Sequence, residues 1–191
     1  MDIVFGKLDA DSFNEFSLDD FTRRQKVTYV WRYIDGEWRE VYNPFEENWS
    51  REECREIACD IAKHMNVDQT AFAAFDGGRV IGFITVSHSF FGESARYSEI
   101  VCFQVSESYR GSGIGRKLFG LAADEALRLG ADKLYISSHS SVETQAAYSA
   151  LGCVHAAELN RELMLEEPFD VQLEFDLHCR DRMNKLHTKE G

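Results

Sequence analysis

Proline is nearly absent, at two residues in 191, and glycine is modest at 13. With 13% aromatics beside them, these counts exclude collagen-like and low-complexity architectures and bulk disorder. Basic residues are also short. The 21 Lys and Arg stand against 33 Asp and Glu, a net charge of −12 to which both halves of the chain contribute. Nucleic-acid binding thereby loses its usual electrostatic footprint, whereas a cationic partner such as a polyamine, an aminoglycoside or a basic peptide suits the field. No stretch approaches the ~20 apolar residues of a membrane span, and Met1 to Lys7 lack a basic segment followed by an apolar run. The expectation is a cytoplasmic protein that does not bind membranes. The five cysteines include no Cys-x-x-Cys pair and the six histidines no ligand spacing, so no metal site is expected.

What is present is enough apolar material, 44%, for a sizeable core. No linker or repeat divides the chain, so residues 1–177 are expected to form one domain and residues 178–191 a polar, frayed tail. A short strand at Ile3–Phe5 is followed by two aromatic-rich runs, 27–34 and 37–42. They flank Asp35-Gly36, a pair that supplies the positive φ angles of a tight hairpin turn. Ser50-Arg51-Glu52-Glu53 predicts a capped helix running to about Met65, with Cys54, Ile57, Ala58, Ile61 and Met65 on its buried side. Strands are predicted at 71–75, 80–86, 100–105 and 134–137. Helices are predicted at 113–129, ended by Gly130, and from a second capping box at Ser140 to Gly152. The apolar–acidic alternation of Val171–Leu177 reads as a half-buried strand, one that could lie at a sheet edge and pair across a homodimer. The order of elements gives an α/β domain with a mixed sheet.

The most informative stretch joins the strand ending at Val105 to the helix starting at Gly113. In Arg110-Gly111-Ser112-Gly113-Ile114-Gly115-Arg116-Lys117 the glycines let backbone approach a ligand, free N–H groups gather at a helix start, and Arg110, Arg116 and Lys117 add positive charge. That is chemistry for a phosphorylated ligand. A dinucleotide fingerprint would need glycine at Arg116, and a P-loop would need Lys-Ser/Thr after Gly115; both fail. The pattern Arg-x-x-Gly-x-Gly resembles the acyl-CoA pyrophosphate loop of the GNAT superfamily of N-acyltransferases, and the resemblance covers residues 71–155 best. It implies a mixed, mostly antiparallel sheet, splayed at the acyl-CoA site and flanked by helices, with acetyl-CoA as acyl donor. Arg110, Gly111, Ser112, Gly113, Gly115 and Arg116 would hold the pyrophosphate, and Phe103 to Val105 the pantetheine. Tyr148-Ser149-Ala150-Leu151-Gly152-Cys153 is similar to the family's Tyr-x-x-x-Gly-aromatic ending, with Cys153 in place of the aromatic; Ser141 and Thr144 stand where Asn and Ala are common.

Acetyl transfer to an amine needs a proton acceptor, a polarised carbonyl and a proton for the departing thiolate. By the same resemblance Glu99 is the base and Tyr148 the acid, with a backbone N–H at Val105 or a neighbour on the carbonyl. A solvated strand-edge carboxylate and a packed core tyrosine are the plain readings of the same two residues. His139 could also be a base, or a cap for the helix that follows it. Glu99→Gln is expected to depress turnover most at low pH, where an ammonium is hardest to deprotonate. Trp31, Trp38, Trp49 and Tyr42, with Asp35, Glu37, Glu40, Glu46 and Glu47, could shape an acceptor pocket or be an ordinary hairpin with a solvated acidic face. The function implied is transfer of acetyl to a primary amine in a ternary complex. The acceptor would be a small cation or a peptide amine; a non-catalytic acyl-CoA-binding module is the alternative outside enzymology.

Overall fold

The computed structural model describes residues 2–178. The element order is β1 (Val4–Lys7), β2 (Arg24–Ile34), β3 (Glu37–Asn48), α1 (Arg51–His64), β4 (Gln69–Asp76), β5 (Arg79–Phe91), β6 (Tyr97–Val105), α2 (Ile114–Leu129), β7 (Lys133–Ser138), α3 (Val142–Leu151), β8 (Val154–His155), α4 (Arg161–Glu166) and β9 (Val171–Asp176). Seven strands form one sheet in the order β1-β4-β5-β6-β7-β9-β8, and β2–β3 form a separate two-stranded hairpin. Every pairing in the large sheet is antiparallel except β6 with β7. This is the mixed, mostly antiparallel sheet flanked by helices that the sequence implied.

Period-two alternation along β4 and β5 sends side chains to two cores. Ala74, Ile81, Ile84 and Val86 pack under α2 with Ile114, Leu118 and Ala122, while Ala71, Ala73, Val80 and Phe83 pack under α1 with Cys54, Ala58 and Ile61. The α1 start is the predicted capping box: Ser50 Oγ accepts from Glu53 N at 3.2 Å and Glu53 accepts from Ser50 N at 2.7 Å. The Asp35-Gly36 turn has φ of 54° and 85°, as its residues require.

Three expectations change. The cap of α3 is Ser141 rather than Ser140; its hydroxyl accepts from Thr144 N, so Glu143 closes no box. The strand at 171–177 is neither half-buried nor an edge: β9 lies between β7 and β8, and Gln172 and Glu174, read as its wet side, are 6% and 7% exposed. Tyr97 and Lys133 both donate to the Glu174 carboxylate, at 2.7 and 2.6 Å, and Ala157 N adds a third bond, which is how an acid is accommodated there. A dimer built by pairing along β9 is therefore closed off. Third, β8 and α4 had no sequence signal. The expected tail lies outside the described residues apart from His178. No helix among the described residues is long and apolar enough to cross a membrane.

Candidate active site

The decisive feature is where β6 and β7 part company. They pair in parallel at Tyr97↔Lys133, Ser98↔Leu134 and Glu99↔Tyr135, and nowhere beyond. From Ile100 onward β6 keeps its partner β5 but has no strand paired on the other side among the described residues. A shift in the β5 register between Ile100 and Cys102 makes Val101 a bulge at the point of divergence. The wedge so opened is a cleft of about 820 Å³, lined by Ile100 to Val105 on one side and by Ser137, Ser138, His139 and Tyr148 on the other.

The glycine loop closes one end. Gly111 and Gly113 have φ of 75° and 85°, and a Cβ at either would meet nothing within 4 Å, so their backbone faces open space. Gly113 is the cap residue of α2 and has no side chain to satisfy the first N–H groups, which remain available to an anion. Two bonds brace the turn: Tyr109 Oη donates to Asp76 at 2.6 Å and Ser112 Oγ donates to Tyr109 O. Ser112 can thus offer an incoming phosphate only its backbone N–H.

The cations are arranged differently from the sequence expectation. Arg110 lines the cleft, but its guanidinium donates to Val105 O at 3.1 Å and Arg24 O at 2.7 Å, fastening the loop to the base of the hairpin. Arg116 lines the cleft and donates to Ala150 O at the end of α3. Lys117 turns away, its ammonium 4.1 Å from the Phe5 ring centroid. In its place β2 brings Arg24 and Lys26 to the cleft, Arg24 paired with Glu46. The run Arg23-Arg24-Gln25-Lys26 was the available signal, but only the docking of the hairpin gives it meaning. Gln25 Nε2 bonds Ser141 and Thr144, and Trp31 N donates to Ser140 O, so the hairpin base spans from the loop to the start of α3. Ser141 and Thr144, where Asn and Ala are common in the resembling family, thus serve to dock β2.

Glu99 stands at the last paired position, on the sheet face shared with Tyr135, one residue before Ile100 at the cleft wall. Burial, reinforced by Glu166 on α4, pushes its carboxyl up to about 7, and no hydrogen bond from the described residues holds it. Tyr148 lines the cleft with its ring 6.2 Å from that of Phe103. Burial raises its phenol well above the usual range, and its hydroxyl has no partner among the described residues. Val105 lies six residues from Glu99, about 20 Å along the strand, beside the glycine loop. The backbone nearest both Glu99 and the point of divergence is the Val101 bulge. Cys102 also lines the cleft, but burial pushes its thiol up to about 12.

His139 lines the cleft as well. Its Nδ1 accepts from Ser141 N at 3.1 Å, which spends the lone pair of a neutral ring, while Nε2 faces Glu47 Oε1 at 3.7 Å. That is a helix-start cap, and burial lowers the pKa of the ring. Of the aromatics and acids proposed for an acceptor pocket, Glu47 reaches this neighbourhood, paired with Arg23. Trp31 and Trp38 line a separate cavity of about 440 Å³ on the other face of α3, Trp49 packs against the α1 core, and Tyr42 is exposed. Sequence reading missed Asp170, which lines the cleft from the turn before β9.

Comparison with known proteins places this arrangement. A family profile described as the acetyltransferase (GNAT) family matches residues 19–152. No curated protein sequence matches the chain. Among solved structures, a nourseothricin acetyltransferase superposes with a TM-score of 0.68 at 19% identity, covering 93% of this chain and 99% of that one. A putative streptothricin acetyltransferase from Bacillus anthracis str. Ames, in complex with acetyl coenzyme A, gives 0.63 at 18% identity, covering 91% and 96%. A mutant of the AtaT toxin, bound to the C-terminus of the antitoxin AtaR, gives 0.61 at 14% identity, covering 96% and 98%. The parted strands, the glycine loop at the start of α2 and the profile match over most of the chain agree: this protein belongs to the acetyltransferase (GNAT) family.

Proposed function

We propose that the protein moves an acetyl group from acetyl-CoA to a primary amine of a small cationic acceptor, by direct attack in a ternary complex. The observation that carries this reading is the parting of β6 and β7 after Glu99↔Tyr135, which runs one continuous cleft from the glycine loop to the neighbourhood of a carboxyl. The N–H groups of Gly111, Ser112, Gly113 and Gly115 hold the pyrophosphate, with Arg116 and Lys26 supplying charge and Arg110 fixing the loop. Phe103 to Val105 offer their unpaired edge to the pantetheine amides, and the backbone at the Val101 bulge polarises the thioester carbonyl.

Glu99 accepts the proton of the acceptor ammonium. The amine nitrogen forms the new bond to the acyl carbon, the carbon–sulfur bond breaks, and Tyr148 gives its proton to the departing thiolate, while the second proton that the nitrogen sheds on becoming an amide restores the Tyr148 phenol. A carboxyl held near 7 is better matched to that task than one at 4.5, and a phenol kept protonated by burial is a competent donor. An acetyl-enzyme route through Cys102 is disfavoured, because a thiol at about 12 carries almost no thiolate at neutral pH. The net charge of −12 draws cations toward the cleft.

Mass spectrometry after incubation with acetyl-CoA and a panel of polyamines, aminoglycosides, amino acids and short peptides tests the reading. Acetylation of a small amine supports it. Acetylated peptides alone would move the acceptor to a protein amine, and no product from protein that binds acetyl-CoA would leave a binding module.

A further inference from the structure

The α1 face of the sheet carries a row of polar groups beside the cleft that the reaction above does not use. Ser137 and Gln172 are paired residues of β7 and β9. Gln172 Nε2 donates to Ser137 Oγ at 2.9 Å, and Ser137 Oγ donates to Asp170 Oδ2 at 3.3 Å. Asp170 lines the cleft, and among the described residues its carboxylate has that one long bond. Gln172 is 6% exposed, and its amide oxygen, in the same small planar group that meets Ser137, has no partner among the described residues. The half-buried carboxylate that lines the cleft is therefore short of donors, and the buried carbonyl lies behind it, beyond Ser137.

The surroundings do not supply them. Glu167 precedes Asp170 on the same turn and Glu47 faces it from β3; both raise its pKa, which burial already lifts. Arg32 of β2 is the nearby cation. Its guanidinium donates to Trp31 O and Ser140 Oγ and lies 4.9 Å from the Phe169 ring centroid. A half-buried carboxylate short of donors is costly, so Asp170 marks a place on the cleft wall where a ligand brings them.

We propose that Asp170, backed by Ser137 and Gln172, binds a second, non-reacting ammonium of the acceptor and so selects acceptors with more than one cationic, hydrogen-bond-donating group. The amine that attacks must be neutral, whereas the group held by Asp170 stays charged. This inference rests on the acetyl-transfer reading for the meaning of "acceptor", but its test does not require turnover.

Calorimetric binding of spermidine and of butylamine is measured on the full chain saturated with CoA, for the wild type, Asp170→Asn and Asp170→Glu. The wild type binds spermidine at least about tenfold more tightly than butylamine, as one charge-assisted hydrogen bond warrants. Asp170→Asn brings the two affinities together, Asp170→Glu restores the preference, and CoA affinity is the same in all three. A wild type without the preference, or an Asp170→Asn protein that keeps it, overturns the inference. Failure of acetyl transfer itself is read separately, from product formation, and a spermidine preference lost in Asp170→Asn stands whether or not product appears.

Discussion

The burial of Glu99 makes a quantitative demand on the pH dependence of acetyl transfer. A carboxyl at about 7 is about 9% ionised at pH 6 and about 91% at pH 8, whereas an ordinary glutamate would already be almost fully ionised at pH 6. A base at Glu99, as proposed, is therefore switched on across the neutral range. Dividing wild-type kcat/KM by that of Glu99→Gln at each pH removes the titration of the free amine, of Asp170 and of every other group common to both proteins. The ratio should climb about tenfold between pH 6 and pH 8 and level off above. The sequence alone suggested the opposite sign, with the base mattering most at low pH; below 7 the buried carboxyl holds its own proton and cannot take another. Glu166→Gln removes the second cause of the shift, so the rise should move to lower pH. The assay is initial-rate formation of acetylated product by mass spectrometry, with acetyl-CoA saturating. A ratio that stays flat from pH 6 to pH 8 would remove Glu99 from the mechanism, and an unmoved rise in Glu166→Gln would leave burial alone as the cause of the shift.

The same burial affects stability: a folded pKa raised above 4.5 means that folding is penalised as pH rises through the interval up to about 7. Glu99→Gln should accordingly be more stable than wild type at pH 8, by on the order of 1–3 kcal/mol after screening, and equal to it near pH 4, as read by urea unfolding. Gly113→Asp should abolish acetyl-CoA binding in calorimetry, because it puts a negative charge where the proposed reading holds phosphate. The positive φ of 85° costs the fold only about 1–2 kcal/mol, and an acid at a helix start is otherwise tolerated; undiminished binding would refute the loop assignment. Tyr148→Phe should lower kcat and leave acetyl-CoA affinity intact, whereas a loss of affinity without loss of kcat would make the ring a packing residue. Glu174→Ala strands Lys133 and the Ala157 N–H and should cost about 3–5 kcal/mol of stability in thermal or urea unfolding.

Much of this was legible in the chain because it is local chemistry. A serine three residues before a glutamate, an Asp-Gly pair between alternating runs and a glycine where φ must be positive each announce one element and its boundary. Ser50, Asp35-Gly36, Gly113 and Gly130 did so. The glycine loop was legible for the same reason: anion-binding backbone is a property of consecutive residues. Where local cues competed, they misled. Ser140 and Ser141 are both credible caps, and only the bridge from the hairpin to Ser141 distinguishes them. The acids of β9 read as solvent-facing because nothing nearby in sequence reveals Tyr97 and Lys133 waiting for Glu174.

The sequence by itself determined the class and order of the elements, β8 and α4 excepted, and the glycine-rich turn before α2, since these depend on periodicity, caps and φ over a few residues. The tertiary structure alone decided that β6 and β7 separate after Glu99, that Arg110 is a brace while Lys26 faces the cleft, that His139 caps a helix, and that Asp170 joins the site. Each of these is a relation between residues far apart in the chain. Burial, the main cause of the shifts at Glu99 and Tyr148, comes into being only when those distant parts meet and exclude water.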